Sequence, residues 1–390
     1  FGAPQAHFAL ESLVDEIAIA QKIDPLDFRL QNHVQDGDPW GDGQRTISRV
    51  GWDEVINKAA DAFGWRDARG KYPIKNGTRV RGIGLAINNQ AMVQSPSSAL
   101  VELRPDGTVL VRPGSGNMGQ AAVTVMGQIT ADVLGLDWGD VRVIFGDSDS
   151  TAYDLYSLGS RAALNTGHAF KIAAEEIRSK LIDRAATALK VKPEDIDFAD
   201  KKFSLKSDPS KSVNFRQVMG TFGGGSISGS GYMDLGISPK QQISNAAYFT
   251  EVEVDTATGK VHVLRMVVAQ DWGKVMNPAV VTGQMEGGLI QGIGYALSED
   301  VIIDRGTGIP TNGSWLDYKL PMAQDIPDIE TITVESNDPL GPYGLKGGGE
   351  TCLVGPAPAI ANAVFNAVGV RIRDLPITAS KVLSALNGRA

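Results

Sequence analysis

The chain holds a single cysteine, Cys352, among 390 residues. An intrachain disulfide is therefore excluded, and no iron–sulfur centre can be held by this chain alone. Histidine is almost as scarce. His7, His33, His168 and His262 are scattered, and no two have the spacing of a zinc site. Any metal used here has to arrive with its own ligands, inside an organic cofactor. Basic residues are short as well: 37 Lys and Arg stand against 45 Asp and Glu, for a net charge of −8 and a pI near 5.2. That balance argues against a nucleic-acid face and against attraction to an anionic membrane. No run of about 18 apolar residues stands out, so no membrane span is expected. There is no GxSxG, and Cys352 has no histidine near it in sequence, so it reads as a small apolar core residue rather than a nucleophile. The first residue is Phe1 rather than Met, with no signal-peptide pattern after it. Phe1-Gly2-Ala3-Pro4-Gln5 reads like the middle of a loop, and the expectation is a processed subunit or a portion of a longer polypeptide.

What is present is a globular composition, 42% hydrophobic, in a chain too long for one ordinary core. Apolar residues recur at helical spacing from His7 to Asn32, with Asp24-Pro25 opening a second short helix. Trp52 to Ala62 reads as a further helix. From Arg79 the pattern turns to strands. Ala99–Leu103 and Thr108–Val111 flank Arg104-Pro105-Asp106-Gly107, a hairpin turn. A loop, Pro113 to Gly119, then leads into a helix from Gln120 to Leu134. Val141 to Phe145 reads as a strand and Ala162 to Leu189 as a long helix. Residues 197–214 read as a short hairpin or insertion, and the Gly/Ser-rich stretch 222–231 as a linker. The second half repeats the plan: strands around Asp255-Thr256-Ala257-Thr258-Gly259, a loop from Asp271 to Pro278, and a glycine-spotted helix from Val281 to Leu297. The fold class is α+β, with an N-terminal helical segment (1–75) and two units (76–235 and 236–390) that look duplicated; coincidence between common pieces remains the other reading.

Four motifs bear on chemistry. Gly347-Gly348-Gly349-Glu350 places one carboxylate behind three glycines and before an alanine-rich helix. Such a loop can carry an acid into a pocket, where desolvation favours proton transfer near neutral pH; a glycine turn feeding a helix is the plainer reading. Gly114-Ser115-Gly116-Asn117-Met118-Gly119 matches GxGxxG, but its strand belongs to a tight antiparallel hairpin, so a Rossmann site is rejected. Glycines before a helix N-terminus still suit a phosphate, and Gln120 adds an amide. Gly159-Ser160-Arg161 offers hydroxyl and guanidinium to the same kind of ligand, or else a Ser cap and a surface Arg. Gly283, Gly287, Gly288, Gly292 and Gly294 crowd one helix, which points to close contact with another backbone or with a planar ligand.

Taken together these residues resemble the molybdenum hydroxylases, the xanthine oxidase family, in the C-terminal part of their molybdopterin-binding subunit. The resemblance rests on Phe1–Gln5 with the following helices, on Gly116–Gln120, on Gly283-Gln284 with Gly287-Gly288, and on Gly344–Glu350 with Pro358-Ala359-Ile360-Ala361-Asn362. It implies a molybdopterin, in many members the cytosine dinucleotide, bound in a tunnel between two elongated domains, with molybdenum held by the cofactor and no metal ligand from the protein. It implies that Glu350 is the general base acting on a metal-bound hydroxyl. It places Gly119, Gln120, Gly159, Ser160, Arg161, Gln284 and Gly349 beside the cofactor and Phe1 against a flat substrate. It also implies partners: a chain with the N-terminal half of the subunit, an iron–sulfur subunit and an FAD subunit. The reaction would be hydroxylation of an N-heteroaromatic compound by water in the cytoplasm. An aldehyde oxidoreductase and a non-catalytic cofactor carrier are the alternatives; a nicotinamide enzyme using Gly114 to Gly119 is a third. Ala121 after Gln120 and Trp272 between Asp271 and Gly273 depart from the family pattern.

Overall fold

Two sheets carry the structure, a computed structural model that describes residues 2–199, 201–220 and 224–388. The smaller has four strands in the order Ile227–Asp234, Pro96–Leu103, Val109–Arg112 and Val141–Val143. The larger has five: Asp328–Val334, Val261–Asp271, Ile243–Asp255, Arg79–Ala91 and Ile74–Asn76. A three-stranded insertion, Ile196–Ala199, Lys202–Leu205 and Asp208–Asn214, is hydrogen-bonded to neither, though Ile196, Phe198 and Phe203 join the core of the smaller sheet. The helices follow the expected signals. Asp24 caps Pro25–Asn32 by accepting from the Leu26 N–H at 2.7 Å. In Trp52–Phe63 the residues Trp52, Val55, Ile56, Ala59, Ala60 and Phe63 form one buried stripe. That stripe covers one face of the larger sheet, packing on Leu85, Phe249 and Val267.

The two sheets share a topology. In each, an antiparallel hairpin is followed by a helix and then by a strand that returns parallel to the second hairpin strand. The series Pro96–Leu103, Val109–Arg112, Ala122–Val133 and Val141–Val143 is matched by Ile243–Asp255, Val261–Asp271, Pro278–Leu297 and Asp328–Val334. In each, a fourth strand pairs antiparallel with the first hairpin strand and carries a Gly-x-Gly. These are Gly229 and Gly231 in one sheet and Gly82 and Gly84 in the other. A Cβ on Gly231 would collide with Ala169 O of the long helix Gly167–Leu189, and one on Gly84 with Ala359 O and Ala363 N of the helix Pro356–Val368. Glycine on the strand and alanine on the helix let two backbones touch, twice in one chain.

Several expectations change. The stretch 222–231 is not a linker: Ile227–Asp234 is a strand hydrogen-bonded along Pro96–Leu103, and its glycines serve helix contact rather than flexibility. The remainder of that stretch includes residues outside those described. Arg79–Ala91 falls in the sequence range assigned to the first unit, yet it pairs along its length with Ile243–Asp255 in the larger sheet. Its partner is supplied from about 160 residues further on, beyond what local pattern reveals. The stretch Thr351–Val368 is long and apolar enough to cross a membrane, with mean hydropathy 1.3, but 78% of it is buried within the fold, as a core helix would be. Replacing Gly84 or Gly231 by valine should lower unfolding free energy by roughly 1–3 kcal/mol each through overpacking. Equilibrium denaturation checks this, and an unchanged midpoint would show that the helices can move away.

Candidate functional site

A cavity of about 480 Å³ opens between the two halves. Its walls come from the loop ending at Gln120 with the start of the helix Ala122–Val133, the turn 157–163, the loop 272–277 with the glycine-spotted helix Pro278–Leu297, and the loop Leu345–Glu350. Of the residues named from sequence, Gln120, Ser160, Arg161, Gln284, Gly349 and Glu350 line it together. Gly119 and Gly159 do not line it, though each is next in sequence to residues that do, and Phe1 lies outside the described residues. Among the described residues no group of three His, Cys, Asp or Glu side chains could hold a metal ion.

Glu350 is half-buried on the cavity wall. Its Oε1 accepts from the Gly159 N–H at 3.3 Å and its Oε2 accepts from the Ser160 hydroxyl at 3.1 Å. The Glu350 N–H in turn donates to Ser160 Oγ at 3.2 Å. The carboxylate is therefore oriented by two donors from the opposite loop. Those glycines are dictated by contact. A Cβ on Gly347 would strike Ser160 O, and one on Gly348 would lie 2.6 Å from both Gln270 Nε2 and a Trp272 ring carbon. Ser160 itself has φ 53°, a left-handed conformation that non-glycine residues adopt only when held there. The opposing glycine loop and the Val93 N–H to Gly159 O bond at 3.0 Å supply that hold.

Behind the loop lies a buried polar lattice that sequence reasoning did not find. Lys346 Nζ donates to Asp271 Oδ2 at 2.6 Å and to Arg49 O at 2.7 Å, and both ion-pair side chains are fully buried. Asp271 Oδ1 also accepts from the Gly273 N–H at 2.9 Å. Gln242 Nε2 donates to Leu345 O at 3.1 Å and Gln270 Nε2 to Gly348 O at 2.8 Å. Nearby, Asp338 is pushed above the ordinary carboxylate range by burial, with Ser48 donating to it at 2.7 Å. The one signal in sequence was a lysine inside a glycine run; its partner is 75 positions away.

Arg161 departs from its expected role. Nε donates to Ser95 Oγ, Nη1 to Asp154 Oδ1 and Leu155 O, and Nη2 to Pro96 O and Ser97 Oγ. All five donors are taken, and both Arg161 and Asp154 side chains are fully buried. The guanidinium braces the turn that presents Ser160 and is not free for a phosphate. Gln120 is also partly committed: its Nε2 donates to Gly116 O at 3.1 Å and Ser157 Oγ at 3.3 Å, tying the two loops of the wall. The glycine-spotted helix divides its glycines between two tasks. Gly288 and Gly292 press on Cys352 and Pro356, the close contact with another segment that the sequence suggested. Gly287 lines the cavity, and a Cβ there would meet nothing within 4 Å. It leaves open wall beside Gln284 and Gln291.

A cavity of this size, between halves that share a topology and with amides and hydroxyls on glycine-rich walls, defines a protein that holds a large organic cofactor. Residues 58–327 match the molybdopterin cofactor-binding domain. The chain belongs to that family, among the molybdenum hydroxylases of the xanthine oxidase type, and corresponds to the C-terminal part of their molybdenum-binding subunit. It is 33% identical to the xanthine dehydrogenase molybdenum-binding subunit of Escherichia coli, over 98% of this chain and 52% of that subunit. It is 34% identical to the aldehyde oxidoreductase molybdenum-binding subunit of Escherichia coli strain K12, over 97% and 50% respectively. The solved structure of reconstituted CO dehydrogenase from Oligotropha carboxidovorans superposes with a TM-score of 0.90 at 25% identity, covering 100% of this chain and 52% of that one. The chain thus spans about half the length of the curated relatives it matches.

Cys352 offers a direct check on packing at the site. Its thiol donates to Gln284 O at 3.1 Å and Gly349 O at 3.2 Å, and burial raises its pKa from 9.0 to about 12. A raised folded value favours the neutral thiol, so its contribution to stability is present below pH 9 and is lost as pH rises toward 12. Iodoacetamide at pH 8 should leave Cys352 intact in the native protein and modify it in denaturant. Rapid native labelling, read by mass spectrometry, would contradict this packing.

Proposed function

We propose that the chain is the molybdopterin-binding portion of a multi-subunit molybdenum hydroxylase or dehydrogenase. Its substrate is an N-heteroaromatic compound, hydroxylated at an electrophilic C–H carbon with oxygen from water. The cofactor is molybdopterin, as its cytosine dinucleotide, with iron–sulfur and FAD centres on partner subunits in the cytoplasm. The residues fit such a group. The cavity is large, its glycine-rich wall at Gly287 has room for a planar ring system, and Gln120, Ser160, Gln284 and Gly349 bring amide and hydroxyl groups to it.

When bound, the cofactor supplies a molybdenum centre that takes two electrons from the substrate and delivers an oxygen derived from water. This chain's own part is proton handling and orientation. Glu350 receives a proton at the carboxylate edge that Gly159 N–H and Ser160 Oγ leave free, since each of its oxygens retains an unused lone pair. The Ser160 hydroxyl and the Gly159 amide hold that carboxylate at a fixed angle, so no rotamer search precedes transfer. The apolar side of the cavity, formed by Val125, Leu158, Ala163, Met276 and Val280, favours a flat and weakly polar ligand. The observation that carries the reading is the Glu350 carboxylate on the cavity wall, oriented from the opposite loop. An aldehyde substrate is the second reading, favoured by the aldehyde oxidoreductase relative.

In the assembled enzyme, Glu350→Gln should reduce turnover by about 10²–10⁴-fold, the usual worth of a general base, with molybdenum content near wild type. Reduction of an artificial electron acceptor gives the turnover. Retained activity would remove Glu350 as the base, and absence of substrate-dependent reduction in the wild type would favour the carrier alternative. The same assay with heteroaromatic and aldehyde panels separates the two substrate readings.

A further inference from the structure

Between the glycine-spotted helix and the strand Asp328–Val334, residues 299–322 form an arm with an unusual surface. It is internally well ordered. Asp304 N–H donates to Ile309 O at 3.0 Å, Thr311 N–H to Ile302 O at 2.7 Å, and Asn312 bridges Asp300 O and the Ile302 N–H at 2.6 and 2.9 Å. Tyr318 OH donates to Glu299 Oε2 at 2.8 Å and closes the arm at its base. Yet its apolar side chains point outward. Trp315 is 88% exposed and Leu316 81%, and Val301, Ile302, Ile303, Ile309 and Met322 are exposed as well. A mobile polar loop does not look like this. An ordered arm that keeps a tryptophan and several branched aliphatics in water is a surface awaiting a partner.

The arm does not stand alone. Its base shares an open groove of about 470 Å³ with the first helix, Ala3–Ala20: Val301 and Tyr318 face Gln5 and Phe8 across it. Further along the same helix Leu10 and Leu13 are also exposed. The relatives are about twice this length, and on the family assignment this chain corresponds to their C-terminal part, whose other half leads into the segment that matches this first helix.

We propose that the arm 299–322 is the docking surface for that N-terminal half of the molybdenum-binding subunit, with Trp315 and Leu316 as the central anchors. The inference rests on the family reading above. It adds which surface of this chain takes the other half and which residues carry the contact.

The test uses the assembled enzyme. Trp315→p-benzoylphenylalanine, irradiated and digested, reports its neighbour by cross-link mass spectrometry. Peptides from the N-terminal half of the subunit are the expected partners. Cross-links to a second copy of residues 1–390, to an iron–sulfur or flavin subunit, or to nothing would each overturn the proposal. Alongside it, Trp315→Asp/Leu316→Asp should lower recovery of assembled subunit by about tenfold or more, the worth of losing one buried anchor. Ile309→Asp gives a second, independent reading of the same face. Wild-type recovery in both variants would overturn the proposal. Molybdenum content of the wild-type complex is measured in parallel. A cross-link to the wrong partner with molybdenum present refutes the docking surface alone, whereas absence of molybdenum refutes the family-based function.

Discussion

Lys346 and Asp271 meet at 2.6 Å with no solvent on either side, four residues before the carboxylate proposed to do the chemistry. Two charges buried this deeply are tolerated only with near-complete hydrogen bonding, and here they have it from Arg49 O, Gly273 N–H and the Ser336 N–H. Breaking one partner would leave the other charged and unpaired, at a cost of about 3–5 kcal/mol. That penalty keeps the loop Leu345–Glu350 in one place. Gln242 and Gln270 then fix Leu345 O and Gly348 O, and the three glycines let the loop press against Ser160 and Trp272. The loop can therefore present Glu350 rigidly although three of its residues have no side chain to pack.

The opposite wall is held by the same kind of device. Arg161, with its five donors spent on Ser95, Asp154, Leu155, Pro96 and Ser97, fixes the turn on which Ser160 sits in a left-handed conformation. One buried cation anchors each side, and Glu350 with Ser160 and Gly159 closes the seam between them. The larger architecture has the same economy. Two sheets of like topology each use a Gly-x-Gly strand against an alanine-faced helix, and the cavity opens where the loops of the two halves meet.

Much of this was legible in the chain. The hairpins, the helix at Trp52–Phe63, the glycine-spotted helix and the repeated plan all follow from period and turn residues, and Glu350 stood out behind its glycines. What escaped has mostly one cause: the partner lay far away in sequence. Lys346 finds Asp271, and Gln242 finds Leu345, about 75 and 103 positions apart. Gly229 and Gly231 looked like linker glycines because the helix they face cannot be seen in a local window. Arg161 looked like a phosphate ligand because its five acceptors come from backbone and side chains that no motif links. Polarity and glycine content state that a segment is special; only the fold states what for.

The most direct test is a diffraction structure of the assembled enzyme with its cofactor bound, read at one place. The account predicts the Lys346–Asp271 contact closed, Ser160 and Gly159 still on Glu350, and the Glu350 carboxylate within hydrogen-bond reach of the molybdenum centre's ligands. A loop Leu345–Glu350 swung away, with that carboxylate facing solvent and remote from the metal, would contradict it.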